Sequence, residues 1–402
     1  MRKTDFCASA QTHLVSVLEY PGVWAFVPPP TPRIVPLVGL HDELIYAHEA
    51  LIELKTLTDH LPNPDIVMRT LDRREAVLSS QIEGTHSDIN DLLTYEATGS
   101  DDGLPKDVLV TLNYVKALDD GLRKIRSVTG TTALNEGLIL NLHAHLMEGV
   151  KDFKGTPGAF RQKQNWIGGF KINDARFVPP PATNVSDCIK DLVTFLQYEP
   201  KEDEPWEISI VLRMAIAHAQ FEAIHPFIDG NGRVGRLLLP LMLAAEDYPP
   251  VYLAGFLKEN QRDYYDTLLN VSLKNDWQAW VSFFAIGVKE ATQDSIATAK
   301  RLVTVLDHWQ SVVNNLGLRA DSALNRLPDL LMVHPVASVN QVKELLNISF
   351  PTANAALSKF HELGFLQQSD SQRNRLFIAK EVIDILGSSS LKIDEDDEPS
   401  MR

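Results

Sequence analysis

The sequence predicts a mainly α-helical protein with one β-hairpin and, near its carboxyl end, a small α+β winged helix-turn-helix unit. Three observations carry this expectation. Apolar residues recur at a 3.6-residue period nearly throughout the chain. One segment breaks that rule: QNWIGG and ARFVPPP are short β-prone runs flanking FKIND, the pattern of a hairpin with a longer loop. Between Asn340 and Lys380, two short helical patterns meet at the turn NISF and are followed by strand, turn and strand.

Taken in order, Pro28, Pro29, Pro30, Pro32 and Pro36 make the amino-terminal region an extended arm. Helical periodicity runs from Asp42 to about His60 and is broken by Leu61-Pro62-Asn63-Pro64. Asn63 as cap and Pro64 at the first helical position open a second helix, whose Val67, Leu71, Leu78 and Ile82 form an apolar stripe and which Gly84 ends. Two helical stretches follow from about Lys106 to Lys151, separated by the turn-rich Ser127 to Thr132. After the hairpin, helices are expected at Val185–Leu196, Trp206–Ile224, Arg233–Glu246, Asn260–Ser272 and Trp277–His308. The segments Asn340–Leu346 and Pro351–Leu363 then precede the strands FLQQSD and RLFIA.

Length and composition bound the function. The 402 residues suffice for two or three domains, and 44 % hydrophobic with 23 % charged residues is ordinary globular composition. A formal net charge of −15 argues against a protein that coats nucleic acid. Cys7 and Cys188 lie far apart without CxxC spacing, which fits a reducing compartment and offers neither a disulfide framework nor a zinc site. The start MRKTDFCASAQTH lacks a signal-peptide core, and Leu237–Ala245 is too short to span a bilayer. The expectation is a soluble cytoplasmic protein without a membrane partner.

Chemistry concentrates in residues 225–236, HPFIDGNGRVGR. His225, where a helix ends before Pro226, is a proton acceptor near neutral pH. Asp229 is an oxygen ligand of the kind Mg²⁺ prefers. Gly230, Asn231 and Gly232 can turn consecutive amides inward as an anion nest, and the helix they open presents further amides and its positive dipole end. Arg233 and Arg236, three apart, share a helix face and can both reach phosphate oxygens. Singly, each feature is ordinary; together they describe a site for a magnesium-bound nucleotide. No GxxxxGK[ST] run is present, so the phosphate signal does not come from a P-loop.

The run resembles the HPFx[D/E]GNGRxxR signature of Fic-domain proteins at every fixed position, and the resemblance extends over roughly residues 60–300. It implies a Fic-type helical bundle with a β-hairpin flap and transfer of AMP from ATP to a Ser, Thr or Tyr hydroxyl of a target protein, which includes the enzyme itself. It further implies that His225 is the general base and that Asp229 holds Mg²⁺. Gly230, Asn231 (amide and side chain), Gly232, Arg233, Val234, Gly235 and Arg236 would form the nucleotide site, with Phe227 as a core anchor. SSQIEG, residues 79–84, resembles the [ST]xxxE[GN] inhibitory motif, which implies that Glu83 pairs with Arg236 with support from Ser79. The hairpin corresponds to the flap that pairs with the target, with Ile167, Gly168 and Gly169 as contacts. Tyr264 and Tyr265 match the tyrosine pair of the family, so Tyr265 is expected at the adenine pocket.

The domain expectation is an amino-terminal arm and helices over 1–105 with the inhibitory helix at 64–84. A catalytic core follows over 106–300 with the flap at 160–180, then a winged helix-turn-helix over 320–385 and an acidic disordered tail over 386–402. Between residues 336 and 380 five basic residues (Lys343, Lys359, Arg373, Arg375, Lys380) face three acidic ones, a weak footprint for DNA. Thr352, Asn354 and Lys359 are the candidate groove contacts; dimerisation or protein docking is the equal alternative. Three other readings stay open: a nucleotide-sensing transcriptional regulator, a de-AMPylating enzyme in which Glu83 orients water, and transfer of UMP, phosphate or phosphocholine.

Overall fold

The computed structural model describes residues 2–61, 63–128, 130–151, 153–200, 207–369 and 375–388. Trp206, the turn carrying Arg373, and residues 389–402 of the expected acidic tail lie outside the described residues. The helices begin with α1 (Ala8–Gln11), α2 (His41–Asp59), α3 (Pro64–Ile82), α4 (Ile89–Thr98), α5 (Val108–Arg126) and α6 (Glu136–Met147). They continue as α7 (Ala182–Leu196), α8 (Ile210–Ile224), α9 (Asn231–Ala245), α10 (Ala254–Glu259), α11 (Gln261–Lys274) and α12 (Trp277–Asn314). Towards the carboxyl end follow α13 (Ala323–Val333), α14 (Val339–Leu346), α15 (Phe350–Glu362) and α16 (Lys380–Gly387). The strands are β1 (Leu14–Ser16), β2 (Trp24–Phe26), β3 (Val336–Ser338), β4 (Gln367–Gln368) and β5 (Leu376–Ile378). The protein is mainly helical, as its periodicity predicts. Among the described residues no helix is long and apolar enough to cross a membrane.

Residues 1–55 and 113–292 form one compact unit, and residues 56–112 and 293–402 a second. Each unit thus joins two stretches that are separate in sequence. In the second unit, Ile66 and Val67 of α3 enter the same core as Trp309, Leu327, Leu331, Phe360 and Phe377. Thr70 Oγ1 donates to the Met332 carbonyl at 2.9 Å, and Leu93 and Ala97 of α4 pack with Val336 and Ile383. Two ion pairs hold α3, Arg73–Glu96 at 2.8 Å and Arg74–Asp294. Sequence distance hides this grouping, because the apolar stripe of α3 says that a partner exists and not which one.

The carboxyl-terminal part of that unit runs α13, β3, α14, α15, β4, β5, α16, with an antiparallel sheet in the order β3-β5-β4. Ser338 and Ser349 cap α14 and α15 through their side chains, and Asn347 makes the left-handed turn between them. The candidate groove residues all have partners inside the module: Thr352 with Ser349 at 2.8 Å, Lys359 with Glu362 at 3.0 Å, and Asn354 with Arg375.

In the first unit α8 is the central element. Every residue of it except Glu222 is buried, the polar Arg213, His218 and Gln220 included. It packs between α7 and α9, and Trp280 Nε1 donates to the Ala215 carbonyl at 2.8 Å. Two expectations for β structure need correction. The amino-terminal arm contains an antiparallel pair, β1 with β2, that proline content obscured. The expected hairpin reduces to one bridge, Ile167 with Phe177, around a 3₁₀ turn at Ile172–Asp174, because two consecutive left-handed glycines, Gly168 and Gly169, end the pairing there.

Candidate active site

The site is built where α8 ends and α9 begins. His225 caps α8 in the left-handed conformation, φ 47° and ψ 62°, its amide bonded to the Phe221 carbonyl at 2.9 Å. Gly230, also left-handed at φ 81°, caps α9. A side chain there is excluded twice over, by backbone strain and because its Cβ would sit 2.3 Å from Met147 Cε. The helix starts at Asn231, two residues earlier than predicted, so Asn231 and Gly232 belong to its first turn. The amides of that turn lack intrahelical acceptors.

Four side chains lock the loop between the two caps. Asn231 Oδ1 accepts from the Phe227 amide at 2.8 Å, and its Nδ2 donates to the Phe227 carbonyl at 3.0 Å. The side chain expected to touch phosphate is thus engaged by the loop backbone. Asn165 Nδ2 donates to the same carbonyl at 2.9 Å. Arg161, buried and drawn down to about 10 by that burial, donates from Nε to the His225 carbonyl at 2.9 Å and reaches the Pro180 and Ile224 carbonyls. It therefore caps the carboxyl end of α8 and ties it to the base of the flap.

The fourth is His143 of α6, which lies flat on Phe227 with ring centroids 3.8 Å apart and an interplanar angle of 6°. The Gly158 amide donates to its Nδ1 at 3.0 Å, so the proton of the neutral ring sits on Nε2, which faces the Asp229 carbonyl at 3.2 Å. Burial lowers this histidine from 6.5 to about 4. His218 and His334 are lowered likewise, to about 3 and about 4. Such groups are neutral when folded but take up protons when unfolded below pH 6.5, so stability falls as pH drops from 6.5 towards 4. Thermal melts from neutral pH down to 4 should show a steep fall in Tm, shallower in His143→Phe; a flat Tm in the wild type contradicts the assignment.

The remaining predicted residues are placed as follows. Asp229 is exposed, its carboxylate 3.5 Å from Arg233 Nη2. Arg233 and Arg236 are buried. Val234 is fully buried, and a Cβ added at Gly235 would meet Glu222, Phe221 and His218, so both positions take part in α8–α9 packing. Tyr264 is buried with its hydroxyl 2.8 Å from His218 Nε2, whereas Tyr265 is partly exposed beside it, ring centroids 5.0 Å apart. In the flap, both backbone groups of Ile167 are bonded to Phe177, at 2.8 and 3.2 Å. These bonds tie Ile167 to the second side of the flap, and Trp166 before it packs against Val17, Val23 and Val178. Gly168 and Gly169 are exposed, as is Phe170 at the tip, which sequence reasoning did not single out. In the second unit Ser79 is buried and Glu83 caps α3, exposed and followed by left-handed Gly84. Sequence reasoning also missed His143, Arg161, Asn165 and Glu222, because nothing in one sequence says which distant residues meet the loop.

Comparison with known proteins bears on this geometry. Residues 41–123 match the amino-terminal model of the Fic/DOC family, and residues 133–243, which contain the loop, match the Fic/DOC family model itself. This chain carries a Fic domain. A probable protein adenylyltransferase of Aquifex aeolicus is 34% identical over 138 residues, 34% of this chain and 38% of that protein. A protein adenylyltransferase of Caenorhabditis elegans is 30% identical over 162 residues, 40% of this chain and 28% of that protein. The chain thus spans about a third of the length of the curated relatives it matches. Two crystal structures share the fold. A Fic family protein from Desulfovibrio desulfuricans has a TM-score of 0.50 at 20% identity, covering 87% of this chain and 98% of that one. A Fic domain-containing signalling protein from Bacteroides thetaiotaomicron has a TM-score of 0.50 at 19% identity, covering 64% and 97%.

Proposed function

We propose that the Fic domain of this chain is a protein adenylyltransferase that moves AMP from ATP to a Ser, Thr or Tyr hydroxyl of a target protein. The observation that carries this reading is the pair of caps. The cap of α8 presents an imidazole, and five residues later the cap of α9 opens a helix amino terminus with Arg233 and Arg236 on its first two turns. In this reading His225 takes the proton of the target hydroxyl, whose oxygen attacks the α-phosphorus. The bond to the β-phosphate breaks and pyrophosphate leaves. The amides of Gly230, Asn231 and Gly232, with Arg233 and Arg236, hold the phosphates, and Tyr265 lines the adenine side.

Mg²⁺ fits this donor set. Asp229 is a single carboxylate with 63% of its side chain exposed, and Mg²⁺ in nucleotide sites commonly takes one carboxylate and completes its shell with phosphate oxygens and water. Bound there, the ion would neutralise charge on the phosphates. The test is intact-mass spectrometry of the full-length Glu83→Gly chain after incubation with ATP and Mg²⁺, where a gain of one AMP is expected. The absence of any AMP adduct, on the chain or on any protein of a lysate supplied as target, contradicts the reading.

A brake belongs to the proposal. SSQIEG at the end of α3 supplies Glu83 as a competitor for Arg236, with Ser79 supporting it. The carboxyl-terminal module, read as a winged helix-turn-helix from its element order, is proposed as a docking part. Its candidate groove residues already have partners, so genomic DNA fragments at physiological salt should show no retardation in a gel shift; a specific shifted band overturns that expectation.

A further inference from the structure

Glu222 stands out on α8. It is the one residue of that helix outside the buried class and its one carboxylate, and a largely buried carboxylate demands a reason. Its Oε2 lies 3.8 Å from Nδ1 of His225, one helical turn on, with the two side chains only 12% and 19% exposed. That distance is too long for a hydrogen bond and acts through space, where a carboxylate favours the protonated imidazole.

A second observation shows that the fold makes room for this carboxylate. A methyl group added to Gly235 of α9 would lie 2.5 Å from Glu222 Oε1, 3.2 Å from Phe221 Cδ1 and 3.3 Å from His218 Cε1. Gly235 is neither left-handed nor at a turn, so backbone freedom is not what it supplies. It supplies space, and the atom closest to that space is the Glu222 oxygen. The glycine in HPFIDGNGRVGR and the glutamate three residues before that run thus form one device.

We propose that Glu222 is a positioning residue for His225: its carboxylate, admitted by the missing side chain of Gly235, holds the imidazole in register and supports it as proton acceptor. The other charged groups around the loop are Arg161, which binds the His225 carbonyl, and Asp229, Arg233 and Arg236. His143 and His218 are both held neutral by burial at neutral pH. Glu222 is the carboxylate placed against the ring itself, whereas Asp229 is exposed and faces Arg233. The assignment rests on the proposed function only for its rate readout.

The experiment follows the His225 ring directly, by NMR titration of the full chain carrying isotope-labelled histidine, with His225→Asn assigning the resonance. In Glu222→Gln the His225 midpoint should fall by about one pH unit, because an opposite charge that favoured the imidazolium is gone. Gly235→Ala should displace the carboxylate and lower the midpoint in the same direction, and the two changes together should add little to either alone. The acid limb of the AMP-transfer rate should shift to lower pH in step, with a plateau about tenfold lower. An unchanged His225 midpoint in Glu222→Gln overturns the proposal, as does a plateau that falls while the acid limb stays in place. If Glu222→Gln does not fold, Gly235→Ala carries the same test with Glu222 retained. A midpoint that falls while no variant, wild type included, transfers AMP supports Glu222 and refutes the transferase reading instead.

Discussion

His225→Asn is expected to lower the rate of AMP incorporation by about 10²–10⁴, the range typical for removing a positioned general base, while leaving Mg²⁺–ATP binding close to wild type. Asparagine is the better probe than alanine because position 225 is left-handed at φ 47°. Asparagine tolerates that region, whereas alanine adds strain of about 1–2 kcal/mol that would blur a catalytic effect with a folding one. The surroundings support a clean result. The main chain at 225 is held by Arg161 on its carbonyl and by the Phe221 carbonyl on its amide, both independent of the imidazole. Label incorporation from α-labelled ATP gives the rate, and calorimetry gives the binding. Wild-type labelling by His225→Asn would remove the histidine from the chemistry. Loss of ATP binding alongside activity would instead place the residue in the nucleotide site. The same variant separates the enzyme from a nucleotide sensor, since a sensor that only binds ATP keeps its output when the base is gone.

The local signature and the packing around it were unequally legible. The α3 boundaries, Pro64 to Ile82, follow from proline at the first helical position and Gly84 after the end, both short-range steric facts. The loop residues were readable because twelve contiguous positions carry several kinds of chemistry at once. Their division of labour was not. Asn231 looks like a phosphate ligand until its amide and carbonyl oxygen are found on Phe227. Gly235 looks like a phosphate-loop glycine until its neighbours prove to be Glu222, Phe221 and His218. His143 and Arg161 lie more than sixty residues from His225 and act through backbone carbonyls and a ring face, which leave no pattern in a sequence. The joining of residues 56–112 to the carboxyl-terminal module was hidden for a related reason: amphipathic periodicity shows which face is covered and never by what.

Glu83→Gly carries the second large expectation, a rise in AMP incorporation of about tenfold to a hundredfold. The proposal is that the Glu83 carboxylate competes with the γ-phosphate for Arg236, so most ATP in the intact chain sits in a pose that does not transfer and a residual rate remains. A charge-assisted contact of this kind is typically worth about 1.5–3 kcal/mol, and each 1.4 kcal/mol is a factor of ten, which sets the range. Glycine suits the substitution because the residue caps α3 and the next position is already a left-handed glycine, so the helix end should survive the change. Arg236 gives the decisive control. If the gain comes from freeing this arginine, Arg236→Ala in the Glu83→Gly chain should cancel it. If Glu83 acts as the base that directs water onto an AMP ester, labelled product accumulates because removal has stopped. A chase with unlabelled ATP then shows label persisting in Glu83→Gly but decaying in wild type. Faster initial incorporation with equal decay in both supports the brake. Equal initial incorporation by wild type and Glu83→Gly would show that SSQIEG does not restrain this site, and HPFIDGNGRVGR would then stand as a constitutively active centre.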